Sequence, residues 1–261
     1  MSNKYCKVET IGRISMITIN RPDVLNALTP AGHAELASAF DEFENNPEVW
    51  VAILTGSGNR AFCVGKDLKT KPEAGEPQDL PPTGAAGLTR RWSLNKPVIA
   101  AVNGLALGGG FEIALACDII VASKTASFGL PEPKVGLAAY EGGLLRLPKL
   151  IGEKRAMDMI LTSKRVTAKQ GKKLGFVNYV TKEDKLISKA LSLAITICDA
   201  SPMAIRASKE TVKKGLSEAD LKQAITAQKN YPAMVAMFVS EDAKEGPKAF
   251  AEKRKPKWQG R

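Results

Sequence analysis

Two glutamates set among glycines and prolines carry the strongest chemical signal in the chain. Glu112 follows Gly108-Gly109-Gly110-Phe111 at the opening of an apolar helical stretch, and Glu132 sits in Ala126-Ser127-Phe128-Gly129-Leu130-Pro131-Glu132-Pro133-Lys134-Val135-Gly136. A carboxyl can serve as general acid or base where its surroundings tune its proton affinity. Glycines let the backbone approach a ligand closely, and the free N–H groups of a helix start hold negative charge. Taken alone, the triple glycine also fits a phosphate loop, Glu112 also fits a charge favoured by the helix dipole, and Glu132 also fits a solvated loop residue. No Walker lysine follows the glycines, and no GxGxxG has an acidic residue in register.

Other chemistries have less to stand on. Cys6, Cys63, Cys117 and Cys198 are scattered without CxxC spacing, and His33 is the sole histidine. A metal site needs more clustered ligands, so no metal is expected, and the cysteines read as reduced thiols with at least two buried. His33 lies in an amphipathic stretch far from any nucleophile motif and reads as structural, which disfavours a Ser-His-Asp mechanism.

The elements that must position the glutamates follow from local pattern. Ile14 to Ile19 is rich in β-branched residues and reads as a strand, broken by Asn20-Arg21-Pro22-Asp23. Thr29-Pro30 reads as a capped helix start, with Leu36, Phe40 and Phe43 at helical spacing. Val49 to Thr55, Val98 to Val102 and Ile119 to Ala122 read as further strands. Gly104 to Gly110 reads as a turn, with a helix from about Phe111 to Cys117. Thr70 to Thr83 reads as a mobile surface loop. From Gly142 onward the pattern is mostly helical, with starts at Ser201-Pro202 and Ser217. A strand–helix half to about residue 180 followed by a helical half is an α/β arrangement. No repeat of fixed period is visible.

Composition sets the frame. The 261 residues, 44% hydrophobic and 25% charged, suit one large domain with a full core. No apolar run approaches the roughly 18 residues of a membrane span. Met1 to Lys7 lacks the apolar core of a signal peptide, so a cytoplasmic protein without membrane partner is expected. The net charge of +11 fits nucleic acid, an anionic surface or phosphate-bearing small ligands, or simply a solvated face with a basic tail, since the lysines are spread out and densest at Lys253, Arg254, Lys255 and Lys257.

Three segments, in order, resemble the crotonase (enoyl-CoA hydratase/isomerase) superfamily: Ala61 to Lys69, Lys96 to Glu112 and Ala126 to Gly136. Asn20-Arg21-Pro22 with Leu25-Asn26-Ala27-Leu28, Leu147-Pro148, and Phe250-Ala251-Glu252-Lys253-Arg254 extend the resemblance over nearly the whole chain. It implies an α/β crotonase-like ββα spiral core over residues 1–195, and a helical C-terminal trimerisation region over 196–261. The assembly implied is a homotrimer or a dimer of trimers. The activity implied is reversible addition of water across the Cα=Cβ bond of an acyl-CoA thioester, a lyase reaction with no cofactor beyond the coenzyme A of the substrate. The resemblance makes Glu112 and Glu132 catalytic, Glu112 chiefly as base for water and Glu132 chiefly as proton donor to Cα. It places the oxyanion hole at the backbone amides of Lys66 and Gly109. It also implies CoA binding by the backbone near Leu25 and Ala27, by Lys69, and by Lys253 of a neighbouring subunit.

The chain departs from the family pattern at Ala139-Tyr140-Glu141, where typical hydratases carry Pro-Gly-Ala or Pro-Asp-Ser. Tyr140 and Glu141 are therefore expected to border the acyl pocket and favour an acyl group that is not a plain alkyl; the alternative is that Glu141 points to solvent at a helix start. Other crotonase reactions, isomerisation or C–C hydrolysis, remain the second reading. RNA binding by a lysine comb on the first long helix is disfavoured, because Pro30 to Glu44 contains Glu35, Asp41, Glu42 and Glu44 and no lysine.

Overall fold

Short, mostly aliphatic runs, buried on both faces at the centre of the larger sheet and exposed at its edges, build two sheets. The computed structural model describes residues 4–69 and 79–261. Its strands are β1 (Cys6–Ile11), β2 (Ile14–Ile19), β3 (Val51–Gly56), β4 (Ala61–Cys63), β5 (Val98–Val102), β6 (Leu105–Leu107), β7 (Ile119–Ser123), β8 (Ser127–Gly129), β9 (Val166–Thr167) and β10 (Tyr179–Thr181). The larger sheet has the order β1-β2-β3-β5-β7-β10 and the smaller one β4-β6-β8-β9. Only the β1–β2 and β8–β9 pairs are antiparallel.

Consecutive strand pairs β3–β4, β5–β6 and β7–β8 each give one strand to each sheet, in the same neighbour order. The chain thus winds as a ββα spiral, the α/β core that the resemblance implied, although no sequence repeat marks its turns. Between the layers, Phe111, Phe128 and Phe176 pack with ring centroids 5.1–5.3 Å apart, a tilted arrangement favoured by aromatic quadrupoles.

The helices are α1 (Pro30–Asn45), α2 (Gly109–Ala116), α3 (Gly143–Ile151), α4 (Glu153–Thr162), α5 (Ala168–Leu174), α6 (Leu186–Cys198), α7 (Pro202–Gly215), α8 (Leu221–Ala227), α9 (Pro232–Val239) and α10 (Glu241–Ala251). Thr29 caps α1 by accepting from the Gly32 amide at 3.2 Å, with Pro30 at the first position, and Ser201 caps α7 in the same way. The helix α6 covers the outer face of β3, β5 and β7. The chain's last residues fold back onto the core. There Trp258 Nε1 donates to the Asp199 carbonyl at 2.8 Å, and Gly260 lies against the buried Trp50 ring. Among the described residues no single helix is long and apolar enough to cross a membrane.

Three expectations are corrected. Gly104 to Gly110 is not all turn: β6 occupies Leu105–Leu107 because it pairs with β4 and β8, and three residues are too few to show a strand period. The next helix opens at Gly109, two residues before Phe111. Ser217 starts no helix. Its amide donates to the Lys214 carbonyl at the end of α7, and Asp220 caps α8 by accepting from Lys222. The expected loop from Thr70 to Thr83 lies largely outside the described residues. None of the four cysteines forms a disulfide with another, and Cys6 and Cys63 are buried, as expected.

Candidate active site

The two amides expected to meet a thioester oxygen come from different turns of the spiral. After β4 the chain pairs with Leu28: the Leu28 amide donates to the Gly65 carbonyl at 2.8 Å, and Asp67 donates to the Leu28 carbonyl at 2.9 Å. In a parallel bridge of this kind, the intervening residue turns its own N–H to the opposite side. That leaves the Lys66 amide directed away from Leu28, while the Lys66 side chain is exposed. Gly109 opens α2, so its amide is one of the helix-start donors without an intrahelical partner. The two segments touch. A Cβ on Gly65, whose φ is +89°, would lie 2.9 Å from the Gly109 nitrogen, so this crossing admits only glycine.

Glu112 lies in the first turn of α2 and is 3% exposed. Its Oε1 accepts from the Gly143 amide at 2.8 Å. Burial pushes the carboxyl up to about 7; the Gly143 N–H pulls it down, and the charges of Glu132 and Glu141 raise it further. Glu132 begins a 3₁₀ turn over Glu132–Val135. Its carboxylate reaches back over the glycines, where a Cβ on Gly108 would sit 2.9 Å from Glu132 Oε1. Its Oε2 is buried without a hydrogen-bond partner, and burial raises its affinity for a proton. A buried carboxylate oxygen without a partner is costly unless protonated or met by a ligand.

Next to Glu112 is a segment that the sequence left unread. Residues 84–91 pack against α1 and α2. Glu141 is buried, and its Oε2 accepts from Thr89 Oγ1 at 2.7 Å and from the Ala85 amide at 3.2 Å, while Oε1 pairs with Arg90. The reading of Glu141 as a solvent-facing charge is therefore corrected, since these donors draw it inward. Tyr140 beside it is 68% exposed. Arg146 donates to the Thr89 carbonyl at 2.6 Å and to the Glu141 carbonyl at 3.2 Å, and stacks over Trp92 with its guanidinium 5.5 Å from the ring centroid. His33 Nδ1 accepts from the Ala86 amide at 2.8 Å, and burial lowers the ring to about 4, so the imidazole is neutral and structural.

The chain matches the enoyl-CoA hydratase/isomerase family over residues 9–261. It belongs to that family. A carnitinyl-CoA dehydratase from Salmonella typhi is 43% identical over 256 residues, 96% of each chain. An enoyl-CoA hydratase from Mycobacterium tuberculosis H37Rv superposes with a TM-score of 0.90 at 40% identity, covering 98% of this chain and 99% of that one. One from Mycobacterium marinum gives 0.91 at 40% identity with the same coverage. Membership makes the chain an enzyme of the enoyl-CoA hydratase/dehydratase type, a lyase.

The residues expected to serve CoA lie at two places. Leu25 and Asn26 both adopt left-handed backbone, with φ of 56° and 57°. The buried Asn26 side chain pins this bend by accepting from the Arg21 amide and donating to the Ser57 and Ala61 carbonyls. The Ala27 carbonyl accepts from Arg21, which also pairs with Asp67 two residues before the exposed Lys69. Leu25, Ala27 and Lys69 thus share one corner. Lys253 does not join them: it follows α10, which packs on α7 and α9, and among the described residues no hydrogen bond or ion pair links it to the glutamates. Sequence reasoning missed Thr89, Arg90, Gly143 and Arg146. Only the doubled arginine at 90–91 and the doubled glycine at 142–143 hinted at them.

Proposed function

We propose that the chain adds water across the Cα=Cβ bond of an enoyl-CoA, and removes it in the reverse direction, with Glu112 and Glu132 as the catalytic pair. One observation carries this reading. A buried carboxyl and a half-buried one, both with raised proton affinity, flank the helix start whose first amide, Gly109, lies against the Gly65–Lys66 turn. In hydration Glu112 takes a proton from water as the oxygen bonds to Cβ. The π electrons move to the thioester oxygen, where the amides of Lys66 and Gly109 receive the developing charge. The enolate then collapses and takes a proton at Cα from Glu132. Solvent exchange returns the pair to its starting protonation. A carboxyl held near 7 is a suitable base at neutral pH.

Leu25, Ala27 and Lys69 would hold the nucleotide end of CoA, with lysine acting on phosphate as a point charge. Lys253 of an adjoining copy would complete that site. A trimer or a dimer of trimers is supported by the apolar side chains that α9 and α10 expose, Phe238, Val239 and Phe250 among them. Tyr140 stands at the rim of the loop that carries Gly143, where an acyl group would pass.

The test is a panel of enoyl- and 3-hydroxyacyl-CoAs, carnitinyl-CoA included, incubated in ¹⁸O-water with mass-spectrometric readout. Label gain or loss of one water on at least one thioester is expected. Turnover with neither gain nor loss of water on every thioester would move the reaction to the isomerase branch, and uptake of label only with cleavage of the acyl chain or the thioester would move it to the hydrolase branch.

A further inference from the structure

The loop 136–143 carries the amide that holds Glu112, yet among the described residues its own backbone bonds are nearly all local. Gly136 donates to Pro133, Leu137 to Glu132, and Tyr140 to Ala138. The distant ties come through two residues. Glu141 binds the 84–91 segment, and two positions on, the Gly143 amide binds Glu112. The segment that receives Glu141 is itself fixed. Ala86 is held in left-handed backbone, φ 52°, with its amide on His33. A Cβ on Gly87 would collide with Ala37 of α1. Arg146 closes the arrangement by bonding to the carbonyls of both Thr89 and Glu141.

We propose that Glu141 is a positioning residue of the hydratase site: its carboxylate, clamped by Ala85, Thr89 and Arg90, fixes the Gly143 amide against Glu112 and so sets where the Glu112 carboxyl points. The proposal rests on Glu112 being catalytic. It replaces a role for the Glu141 charge in contacting the acyl group, because both carboxylate oxygens are already taken up by protein donors. A buried, multiply bonded carboxylate costs much to desolvate and repays it only where its geometry is used.

The charged groups around Glu112 are Glu132 on the 3₁₀ turn, Glu141 itself and Arg146 on α3. The Gly143 N–H, and to a smaller extent the Glu141 N–H, lower the proton affinity of Glu112, whereas the Glu141 charge raises it. The two effects separate by substitution. Glu141→Asp keeps the charge and shortens the arm; Thr89→Val removes one clamp donor at constant charge and similar volume. Both should loosen the Gly143 contact.

The assay is hydration of but-2-enoyl-CoA, or of whichever panel thioester the wild type turns over fastest, followed across pH beside Glu112→Gln. Glu141→Asp is expected to lower kcat about 10–100-fold with KM within about 3-fold, the scale of a misplaced catalytic group. The acid limb of the kcat/KM profile is expected to move to higher pH, and Thr89→Val should shift it the same way by less. A purely structural role would lower Tm and leave the limb in place. An acyl-reading role would change the ranking of thioesters and leave the limb in place. Either result, in folded Glu141→Asp or, if that fails to fold, in Thr89→Val, overturns the proposal. Wild-type turnover by Glu112→Gln would instead overturn the assignment of Glu112, which that control reports separately.

Discussion

Gly108 lacks a side chain at the place that the Glu132 carboxylate fills: a Cβ there would lie 2.9 Å from Oε1. The second of the two glutamates therefore depends on a glycine 24 positions earlier in the chain. Gly108 also has φ 55° and ψ −130°, a conformation in which a side chain is strained. Gly108→Ala should cost about 1–3 kcal/mol of stability and displace Glu132, lowering kcat by at least roughly 10-fold. Steady-state kinetics together with thermal denaturation checks both parts; full activity at reduced Tm would show that Glu132 tolerates the shift.

Glu112→Gln and Glu132→Gln should each lower turnover by roughly 10²–10⁴-fold, the scale for loss of a positioned acid or base. Both changes are nearly isosteric, so circular dichroism should be unchanged. Turnover at the wild-type level on the true substrate would remove that residue from the pair.

The acid limb of kcat/KM for hydration should have its midpoint near 7, since Glu112 must be ionised to take a proton from water and burial holds it at about 7. In the dehydration direction the same group must begin protonated, so that rate should fall as pH rises through the same window. A hydration profile flat from pH 5 to 8 would contradict the assignment of the base.

The same raised affinity has a cost for folding. Glu112 titrates near 4.5 when unfolded and near 7 when folded, so the folded state binds more protons between those values. Its contribution to stability is therefore lost as pH rises through that window. Glu112→Gln should be more stable than the wild type at pH 8, by up to roughly 3 kcal/mol, and show no such gain near pH 4. Urea denaturation at the two pH values measures the difference.

Substitution of Lys69 or Lys253 by Ala should raise KM for acyl-CoA more than it lowers kcat, as loss of uniform binding does. The Lys253 effect should appear only where copies assemble, because among the described residues no hydrogen bond or ion pair ties Lys253 to the glutamates within one copy. RNA binding should be weak and fade steeply with salt. Three of the four acidic residues of α1 are engaged within the chain: Glu35 accepts from the backbone amides of Lys4, Tyr5 and Cys6, and Asp41 and Glu44 pair with Arg91.

The glutamates stood out through the family resemblance of their segments; the flanking Gly108-Gly109-Gly110 and Pro131 alone fit a helix-start charge and a solvated loop residue as well. The long strands β2, β3, β5 and β7 were legible from their β-branched runs. The second sheet was not, since β4, β6, β8 and β9 have two or three residues each and exist only by pairing across turns of the spiral. The partners of Glu141 were not legible for a related reason. It was expected at the acyl pocket, with a helix-start charge as the alternative, and nothing local says that Thr89 and Arg90, some fifty positions away in the chain, are waiting for it.

The stacking of Arg146 over Trp92 gives the molecule an optical reporter of its own. Trp92 is 75% exposed and rides on the arginine that bridges Thr89 and Glu141. The other two indoles, Trp50 and Trp258, lie together where the C-terminal residues fold back. With those two replaced by phenylalanine, emission and quencher access at Trp92 would register slackening beside Glu112 and Glu141 in real time, without a label and without turnover.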